Sequence, residues 1–166
     1  MRRYFLKGRE INNLTEKIPA PIVNYLAEKH LKRRVVVEVA ELEGWKVYFF
    51  EGRPLLAETE DGKIFPTLGF TEVFSLLPRV IVDMGAVPHI CNGADIMAPG
   101  VVKIDGEFGG DSLLIIIDEK NLKPIAIGWS IYPSKNMSMT RRGKVAVNVH
   151  YVGDKLWKAL LSSGLS

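Results

Sequence analysis

One stretch of the chain, residues 82–101, has the residue types of a rigid loop shaped for close approach. Its sequence, VDMGAVPHICNGADIMAPGV, reads as the end of a strand, a glycine-punctuated turn, a short helical stretch and a second loop. Gly93 opens this second loop and Pro99-Gly100 closes it, and glycine removes side-chain bulk where another backbone must come near. Apolar residues between the glycines fasten the loop to a core. From the residues alone, the pattern predicts such a loop and no more.

Residue types that perform catalysis do not form recognisable sets. The chain lacks a G-x-G-x-x-G motif after a strand, an H-E-x-x-H helix and a nucleophile elbow. The acidic pairs, Glu41 with Glu43 and Glu58 with Glu60, alternate on predicted strands, where carboxylates on one face usually mark a solvated edge. We therefore predict no catalytic residues and no cofactor, and we expect that the chain is not an enzyme.

Cysteine and histidine residues give no metal site. Cys91 is the only cysteine, so neither an intramolecular disulfide nor a multi-cysteine zinc site can form, and a buried small hydrophobe is its expected role. His89 and His150 lack neighbours that resemble a metal-ligand set. We expect these two residues to be structural or to contact a partner, and we predict no bound metal.

Positive charge is concentrated near the start of the chain. Residues 1–34 hold nine Lys or Arg and three Glu, a net charge of +6, whereas the remaining residues hold 13 basic and 16 acidic side chains, a net charge of −3. This asymmetry favours an N-terminal surface that meets phosphate, although a solvated face near a chain end would have the same composition. The residues of this candidate second basic surface are Arg2, Arg3, Lys7, Arg9, Lys29, Lys32, Arg33 and Arg34.

The sequence upstream of Pro78 predicts a mixed α+β domain. Residues 19–30 read as a short helix with proline in its first turn. Strands are predicted at residues 35–42, 45–50 and 55–59, and a return strand at 63–65 follows the Asp61-Gly62 turn. Residues 67–77 read as a helix that Pro78 ends.

Downstream of Pro78 the pattern changes to short strands. Turn residues separate candidate strands at residues 80–84, 101–104, 112–118, 125–132 and 144–152. Regular short strands suggest a small barrel or sandwich. The predicted fold class is α+β, with an N-terminal α+β domain (residues 1–78), a small β-barrel-like domain (residues 79–158) and a C-terminal tail (residues 159–166).

No segment predicts membrane insertion or export. The longest apolar run, residues 113–117, is far shorter than the roughly 20 residues that span a bilayer. The basic residues near the start are not followed by an apolar stretch that could form the core of a secretory signal. We therefore expect a cytoplasmic protein without a membrane partner.

Motifs that cover about half the chain resemble those of a known RNA-binding module. Residues 83–101 contain an aspartate, a glycine-alanine pair, a helix and a Gly-Ala-Asp-x-x-x-Pro-Gly-Val loop. Ala126-Ile127-Gly128, Arg142-Gly143-Lys144 and the run HYVGDKLW at residues 150–157 follow in order. Together these motifs resemble the PUA domain, which is named after pseudouridine synthases and archaeosine transglycosylases.

The upstream half narrows the resemblance. Leu55-Leu56 in a strand, the Asp61-Gly62 turn and Phe65-Pro66-Thr67-Leu68 run directly into the PUA-like segment. This arrangement resembles the malignant T-cell-amplified sequence family, translation factors with a pre-PUA domain, and its archaeal members most. The resemblance implies an RNA-binding factor of translation initiation or reinitiation that contacts the small ribosomal subunit and tRNA. It also implies a partner similar to density-regulated protein.

The PUA resemblance implies which residues hold RNA. In such domains RNA lies against the glycine-rich helix and loop and the last strand, and cations supply most of the affinity. The implied RNA-binding residues are Gly93, Ala94, Asp95, Met97, Pro99, Gly100, Lys103, Arg141, Arg142, Lys144, Asn148 and His150. Two other functions stay open: an accessory RNA-binding protein in tRNA or rRNA modification or maturation, and a protein-interaction scaffold.

Overall fold

The chain forms two units, which we call the N-terminal unit and the C-terminal unit. The computed structural model describes residues 2–29 and 35–162. The C-terminal unit comprises Leu77–Ala159, and the N-terminal unit comprises the residues up to Leu76 together with those from Leu160 onward. The sequence-based boundary after Pro78 lies two residues beyond this division. Within the described ranges, no helix combines the length and apolar character that crossing a bilayer requires.

The N-terminal unit is built on a five-stranded antiparallel sheet with the order β1-β2-β3-β4-β5. Its elements are β1 (Arg2–Phe5), α1 (Gly8–Lys17), α2 (Ala20–Lys29), β2 (Val37–Leu42), β3 (Trp45–Phe50), β4 (Arg53–Thr59), β5 (Ile64–Pro66) and a 3₁₀-helix (Thr71–Leu76). The central strands β3 and β4 are buried along most of their length. The aromatic and β-branched residues that predicted these strands therefore form the interior of the unit.

Apolar side chains at intervals of four residues join the two helices to this interior. Leu14 on α1 and Ile18 just after it are buried, and so are Ile22 and Leu26, which lie four residues apart on one face of α2. The ring of Tyr25 on α2 meets the ring of Phe70 edge-on, with 5.7 Å between centroids. This packing places α2 against the segment that leads into the 3₁₀-helix.

The C-terminal unit contains a six-stranded sheet with the order β7-β11-β10-β9-β6-β8. Its elements are β6 (Arg79–Val82), α3 (Val87–Ile90), β7 (Ile96–Met97), a 3₁₀-turn (Ala98–Gly100), β8 (Val101–Asp105), β9 (Leu113–Asp118), β10 (Pro124–Ser130), α4 (Ser134–Met139), β11 (Lys144–Tyr151) and α5 (Lys155–Ser162). All strand pairs are antiparallel except β6 with β9. The predicted tail therefore begins within α5, whose last residues belong to the N-terminal unit.

The connection between β7 and β8 forces this sheet to curl. The two strands lie at opposite ends of the sheet, yet only the three residues of the 3₁₀-turn separate Met97 from Val101. Four residue steps span at most about 14 Å, whereas six flat strands would separate the outer strands by about 24 Å. The sheet must therefore bend until its two edges approach each other, which produces the barrel-like shape.

The interior of the curled sheet is apolar. Val80, Val82, Leu114, Ile116 and Val145 are fully buried members of one cluster, which also takes in Ile90 from α3 and Ile96 from β7. Burying a side chain of this size stabilises the fold by roughly 1.5–3 kcal/mol. The loop between β6 and β8 is thus fastened to the core through its own apolar residues, as its sequence predicts.

The predicted fold class is confirmed, and several local predictions are corrected. The helix predicted over residues 67–77 is a 3₁₀-helix over Thr71–Leu76 only. Thr67 is not helical because it bonds to the end of β4 instead: its hydroxyl donates to the Pro54 carbonyl, and its N–H donates to the Leu55 carbonyl. Glu58 does not lie on a solvated edge: it is buried, and the Tyr48 hydroxyl donates to its carboxylate at 2.6 Å.

Candidate nucleic-acid interface

The predicted loop, residues 83–100, consists of two arms that meet at their base. The chain leaves β6, runs outward along α3, turns at residues 91–94 and returns along β7 and the 3₁₀-turn to β8. The Asp83 carboxylate accepts a hydrogen bond from the N–H of Ala86, the residue before α3, at 2.8 Å. The Asp83 N–H donates to the Gly100 carbonyl at 2.9 Å. This second bond joins the beginning of the outward arm to the end of the returning arm.

Two of the three glycines in the loop, Gly93 and Gly100, are required by close contacts with this chain itself. A Cβ atom at Gly100 would lie 3.0 Å from the Cβ of Ala86, so only glycine lets the arms touch there. Gly93 has a φ of +97°, and a Cβ atom there would lie 3.2 Å from the Tyr151 hydroxyl. The close approach that the glycines predict is therefore made by the protein's own residues at both positions.

Asn148 on β11 holds the outer end of the loop. Its side-chain amide donates to the carbonyls of Ile90 at 3.0 Å and Ala94 at 2.9 Å, which belong to different arms. Its backbone N–H donates to the Asp95 carboxylate at 2.9 Å, and the other Asp95 oxygen binds the Lys144 ammonium at 2.8 Å. These contacts tie both arms to the last strand, so the loop is ordered before any ligand arrives.

A groove of about 540 Å³ lies between the arms. Its lining is mostly apolar, with the half-buried carboxylates of Asp83 and Asp95 and the imidazole of His89 as the polar groups. Met97 is 47% exposed, and Pro99 is also exposed. The predicted residues Ala94, Asp95, Met97, Pro99 and Gly100 all line this groove, whereas Gly93 forms the turn at its outer end.

Arg141 and Arg142 come directly before a backbone contact with the returning arm of the loop, and we call this edge of the groove its rim. They follow α4 and precede Gly143, whose carbonyl accepts a hydrogen bond from the Ala98 N–H at 2.8 Å. Both arginines are exposed, and neither forms an ion pair within the part of the chain that the structure describes. Lys144 differs because its charge is already opposed by Asp95. The positive charge available to a ligand at this rim therefore comes from the two arginines.

Two other predicted residues lie elsewhere. Lys103 is exposed on β8, opposite Ile81, and does not line the groove. His150 is 0% exposed, and its Nδ1 lies 2.9 Å from the carboxylate of Asp154, which also accepts the Tyr151 N–H. The side chain of His150 has no exposed surface in this structure, which favours the structural role over the predicted contact with RNA.

The candidate second basic surface is divided by internal ion pairs. Arg3 binds Glu38 at 2.5 Å and lies over the Phe49 ring, and Arg2 lies 4.0 Å from Glu41. The other described members, Lys7, Arg9 and Lys29, are exposed. Lys32, Arg33 and Arg34 lie outside the described residues. Arg2 and Arg3 therefore serve the pairing of β1 with β2, which leaves Lys7, Arg9 and Lys29 as the members of this set that form no ion pair with another described residue.

Neither a cluster of metal-binding side chains nor a reactive thiol is found among the described residues. Across residues 2–29 and 35–162, no three His, Cys, Asp or Glu side chains gather in a way that could hold a metal ion. Cys91 is half-buried against the core, and this burial raises the pKa of its thiol. A raised pKa keeps the thiol protonated and weakly nucleophilic.

Two family models match the chain. Residues 78–152 match the PUA domain, and residues 2–71 match the Domain of unknown function (DUF1947). An uncharacterized protein of Methanocaldococcus jannaschii is 31% identical over 94% of this chain and 95% of its own length. Both halves of the chain therefore have counterparts in one similar protein.

Relatives with assigned names and a solved structure agree with these matches. Translation machinery-associated protein 20 of Schizosaccharomyces pombe is 35% identical over 69% of this chain and 66% of its own length. Malignant T-cell-amplified sequence 1 of Rattus norvegicus is 26% identical over 88% of this chain and 82% of its own. A PUA-domain structure from Aeropyrum pernix is 25% identical, covers 98% of this chain and 94% of its own, and gives a TM-score of 0.78. The chain therefore belongs to the family of PUA-domain proteins, with a pre-PUA N-terminal domain, that includes the malignant T-cell-amplified sequence proteins.

Proposed function

We propose that this chain binds structured RNA, either tRNA or rRNA, through the groove face of its C-terminal unit. The observation that carries the proposal is the pair Arg141 and Arg142, exposed and without a counter-ion in the described structure, at the rim of an ordered groove. Guanidinium groups match phosphate in geometry and charge. Because Asn148 has already ordered the loop, RNA binding does not carry the entropic cost of fixing it.

The remaining predicted residues contribute in different ways. Lys103 extends positive charge along β8, and Lys144 reaches phosphate only while it also faces Asp95. Gly93, Pro99 and Gly100 shape the surface that RNA approaches. In this proposal the backbone-contacting cations determine affinity, whereas the groove determines which part of the RNA fits.

We further propose that the protein acts in translation, as an initiation or reinitiation factor that contacts the small ribosomal subunit and initiator tRNA in the cytoplasm. The name of the fission yeast relative, Translation machinery-associated protein 20, supports this proposal. Exposed Lys7, Arg9 and Lys29 offer the N-terminal unit a separate contact with rRNA. A partner similar to density-regulated protein is part of the same proposal.

Removing the two arginines tests the RNA-binding proposal directly. Each phosphate that a cation neutralises contributes about 0.7–0.9 to the slope of log affinity against log salt. The double variant Arg141→Ala with Arg142→Ala should therefore bind a tRNA transcript more weakly at low salt and with a slope smaller by about 1.4–1.8. The measurement is fluorescence anisotropy over a salt series.

A matched double variant controls for the loss of net charge. Lys46→Ala with Lys63→Ala removes the same charge from the N-terminal sheet and should leave the slope unchanged. Equal slopes for the arginine variant and the unsubstituted protein would move the interface elsewhere. Absence of binding to tRNA and rRNA fragments at low salt would end the proposal.

Crosslinking in cells, followed by sequencing of the bound RNA, tests the role in translation. Enrichment of small-subunit rRNA together with initiator tRNA is the expected result. A single precursor tRNA or rRNA site would instead support the alternative of an accessory protein in RNA maturation. The arginine double variant, expressed at the same level, should lose the crosslinks that the C-terminal unit makes.

A further inference from the structure

The hairpin of β9 and β10 ends in a short turn, residues 119–123, which we call the β9–β10 tip. The buried Asp118 carboxylate accepts the backbone N–H groups of residues 120, 121 and 123 at 3.0, 2.5 and 3.1 Å. The Leu122 N–H donates to the Asp118 carbonyl, and the Asp118 N–H donates to the Lys123 carbonyl, each at 3.1 Å. These bonds fix the backbone of the tip before any partner arrives.

Leu122 occupies this tip in an unfavourable conformation and an unfavourable environment. Its φ of +54° lies in the left-handed region, which suits glycine, asparagine and aspartate better than leucine. Its side chain is 63% exposed, so burial within this chain does not offset the strain. Of the other described non-glycine residues with positive φ, Asp111 is a type that tolerates it, and Glu51 accepts the Val36 N–H. A strained and exposed leucine points to a surface outside this chain that it contacts.

The neighbours of Leu122 indicate the chemistry of that surface. Lys120 and Lys123 flank it, both are exposed, and neither forms an ion pair within the described residues. The exposed acid of the tip, Glu119, lies on the side toward β6, because its N–H donates to the Val82 carbonyl at 3.0 Å. A protruding turn with one apolar side chain between two cations matches the wide, shallow minor groove of an RNA helix, where phosphates border a surface of ribose.

The tip and the arginine rim are too far apart for a short ligand to reach both. Arg141 and Arg142 precede β11, whereas the tip adjoins the other end of this strand, because the Val152 N–H donates to the Ile125 carbonyl. The eight residues of β11 span about 26 Å. A helical segment of RNA covers such a distance, and a single nucleotide does not.

We infer that the β9–β10 tip is a second RNA contact, which docks in the shallow minor groove of a paired RNA segment. Leu122 packs on ribose C–H groups, while Lys120 and Lys123 bind the phosphates that border the minor groove. The inference rests on the proposed RNA binding and adds a site outside the groove of the loop, together with the form of RNA that this site takes. Duplex DNA is a weaker ligand, because its minor groove is narrow and lacks the 2′-hydroxyl.

Leu122→Asn separates binding from folding, because it removes the apolar side chain without a change of charge and suits the left-handed backbone. The midpoint of thermal unfolding should rise by roughly 2–4 °C. At near-physiological salt, the affinity for a labelled RNA duplex of about 16 base pairs should fall on the order of tenfold. The slope of log affinity against log salt should not change. Leu76→Asn replaces another exposed leucine, in the 3₁₀-helix of the N-terminal unit, and should leave the affinity unaltered.

The two lysines are tested by their effect on the salt dependence. Lys120→Ala with Lys123→Ala should lower the slope for the RNA duplex by about 1.4–1.8. Lys46→Ala with Lys63→Ala removes the same charge and should keep the slope. A DNA duplex of the same sequence should bind more weakly than the RNA duplex and should not respond to Leu122→Asn.

The outcomes distinguish this inference from the proposed function. If Leu122→Asn and the unsubstituted protein bind the RNA duplex equally, contact at the tip is refuted, while loss of tRNA binding in the arginine double variant still supports the proposed function. Leu122→p-benzoylphenylalanine, irradiated in cells, should crosslink to RNA, and crosslinks to protein alone would also refute contact at the tip. If the unsubstituted protein binds neither tRNA nor the duplex at low salt, the proposed function fails as well.

Discussion

Replacing Asn148 tests whether one side chain holds the two arms of the loop together. Its amide donates to the carbonyls of Ile90 and Ala94 at 3.0 and 2.9 Å. Each such bond contributes about 1 kcal/mol net. We therefore predict that Asn148→Ala lowers the free energy of unfolding by about 2 kcal/mol.

Asn148→Asp should destabilise the protein more than Asn148→Ala does, although aspartate has the same shape as asparagine. It places a carboxylate oxygen where the amide nitrogen now faces two carbonyl oxygens, so two bonds become two repulsions. We expect a loss on the order of 3 kcal/mol or more. The two carbonyl oxygens disfavour the charged carboxylate and so raise its pKa in the folded variant. The difference in stability between the Asp and Ala variants should therefore shrink as the pH falls toward about 4 and stay constant below that value.

Urea unfolding followed by tryptophan fluorescence measures both values. The slope of the free energy against urea should stay constant, so that the midpoint reports stability alone. Asn136→Asp makes the same chemical change on an exposed residue of α4 and should be nearly neutral. An Asn148→Asp protein as stable as the unsubstituted one would refute the assignment of these two bonds.

Three further predictions concern other parts of the fold. Hydrogen bonds from the backbone N–H of residues 121, 123 and 120 lower the pKa of Asp118. The contribution of Asp118 to stability should therefore be present above about pH 4 and lost as the pH falls through the lowered pKa. In unfolding experiments, Asp118→Asn should weaken the loss of stability that the unsubstituted protein shows in acid. Gly128→Ala should cost about 1–3 kcal/mol, because a Cβ atom would lie 2.9 Å from the Val147 carbonyl oxygen; thermal unfolding measures it. Glu58→Ala should destabilise by about 1–3 kcal/mol by orphaning the buried Tyr48 hydroxyl, and a double-mutant cycle with Tyr48→Phe should recover part of that loss.

The elements predicted most accurately are those whose apolar pattern is strong and local. The strand predicted at residues 45–50 is β3 with the same bounds, because a run of aromatic and β-branched residues stands between two turns. By contrast, β1 has no buried residue in its four positions, so the alternation that marks a strand is absent. Its cations bind acids on β2 that only the folded sheet brings near.

The contacts in the candidate interface join residues that are far apart in the sequence, so no local sequence pattern predicts them. Lys144 and Asp95 form an ion pair across 49 positions, so the sequence shows a free cation where the structure has a paired one. The two arginines beside it remain exposed because Gly143 turns the chain back toward Ala98. The buried position of His150 could have been predicted from the sequence, because Asp154 lies four residues later and a buried histidine needs a hydrogen-bond partner of this kind.

The three-residue link between β7 and β8 couples the groove to the closure of the sheet, so that the two form and open together. Pro99 and Gly100 of this link line the groove, and the bond from Ala98 to Gly143 together with the bond from Asp83 to Gly100 holds the first and last strands of the sheet in place. Strand β7 has only two residues, so few hydrogen bonds oppose the local separation of this edge from the sheet. Any such opening abolishes the groove. By thermodynamic linkage, a ligand bound there must slow amide exchange at Asp83 and Ala98 by the factor by which it favours the closed state.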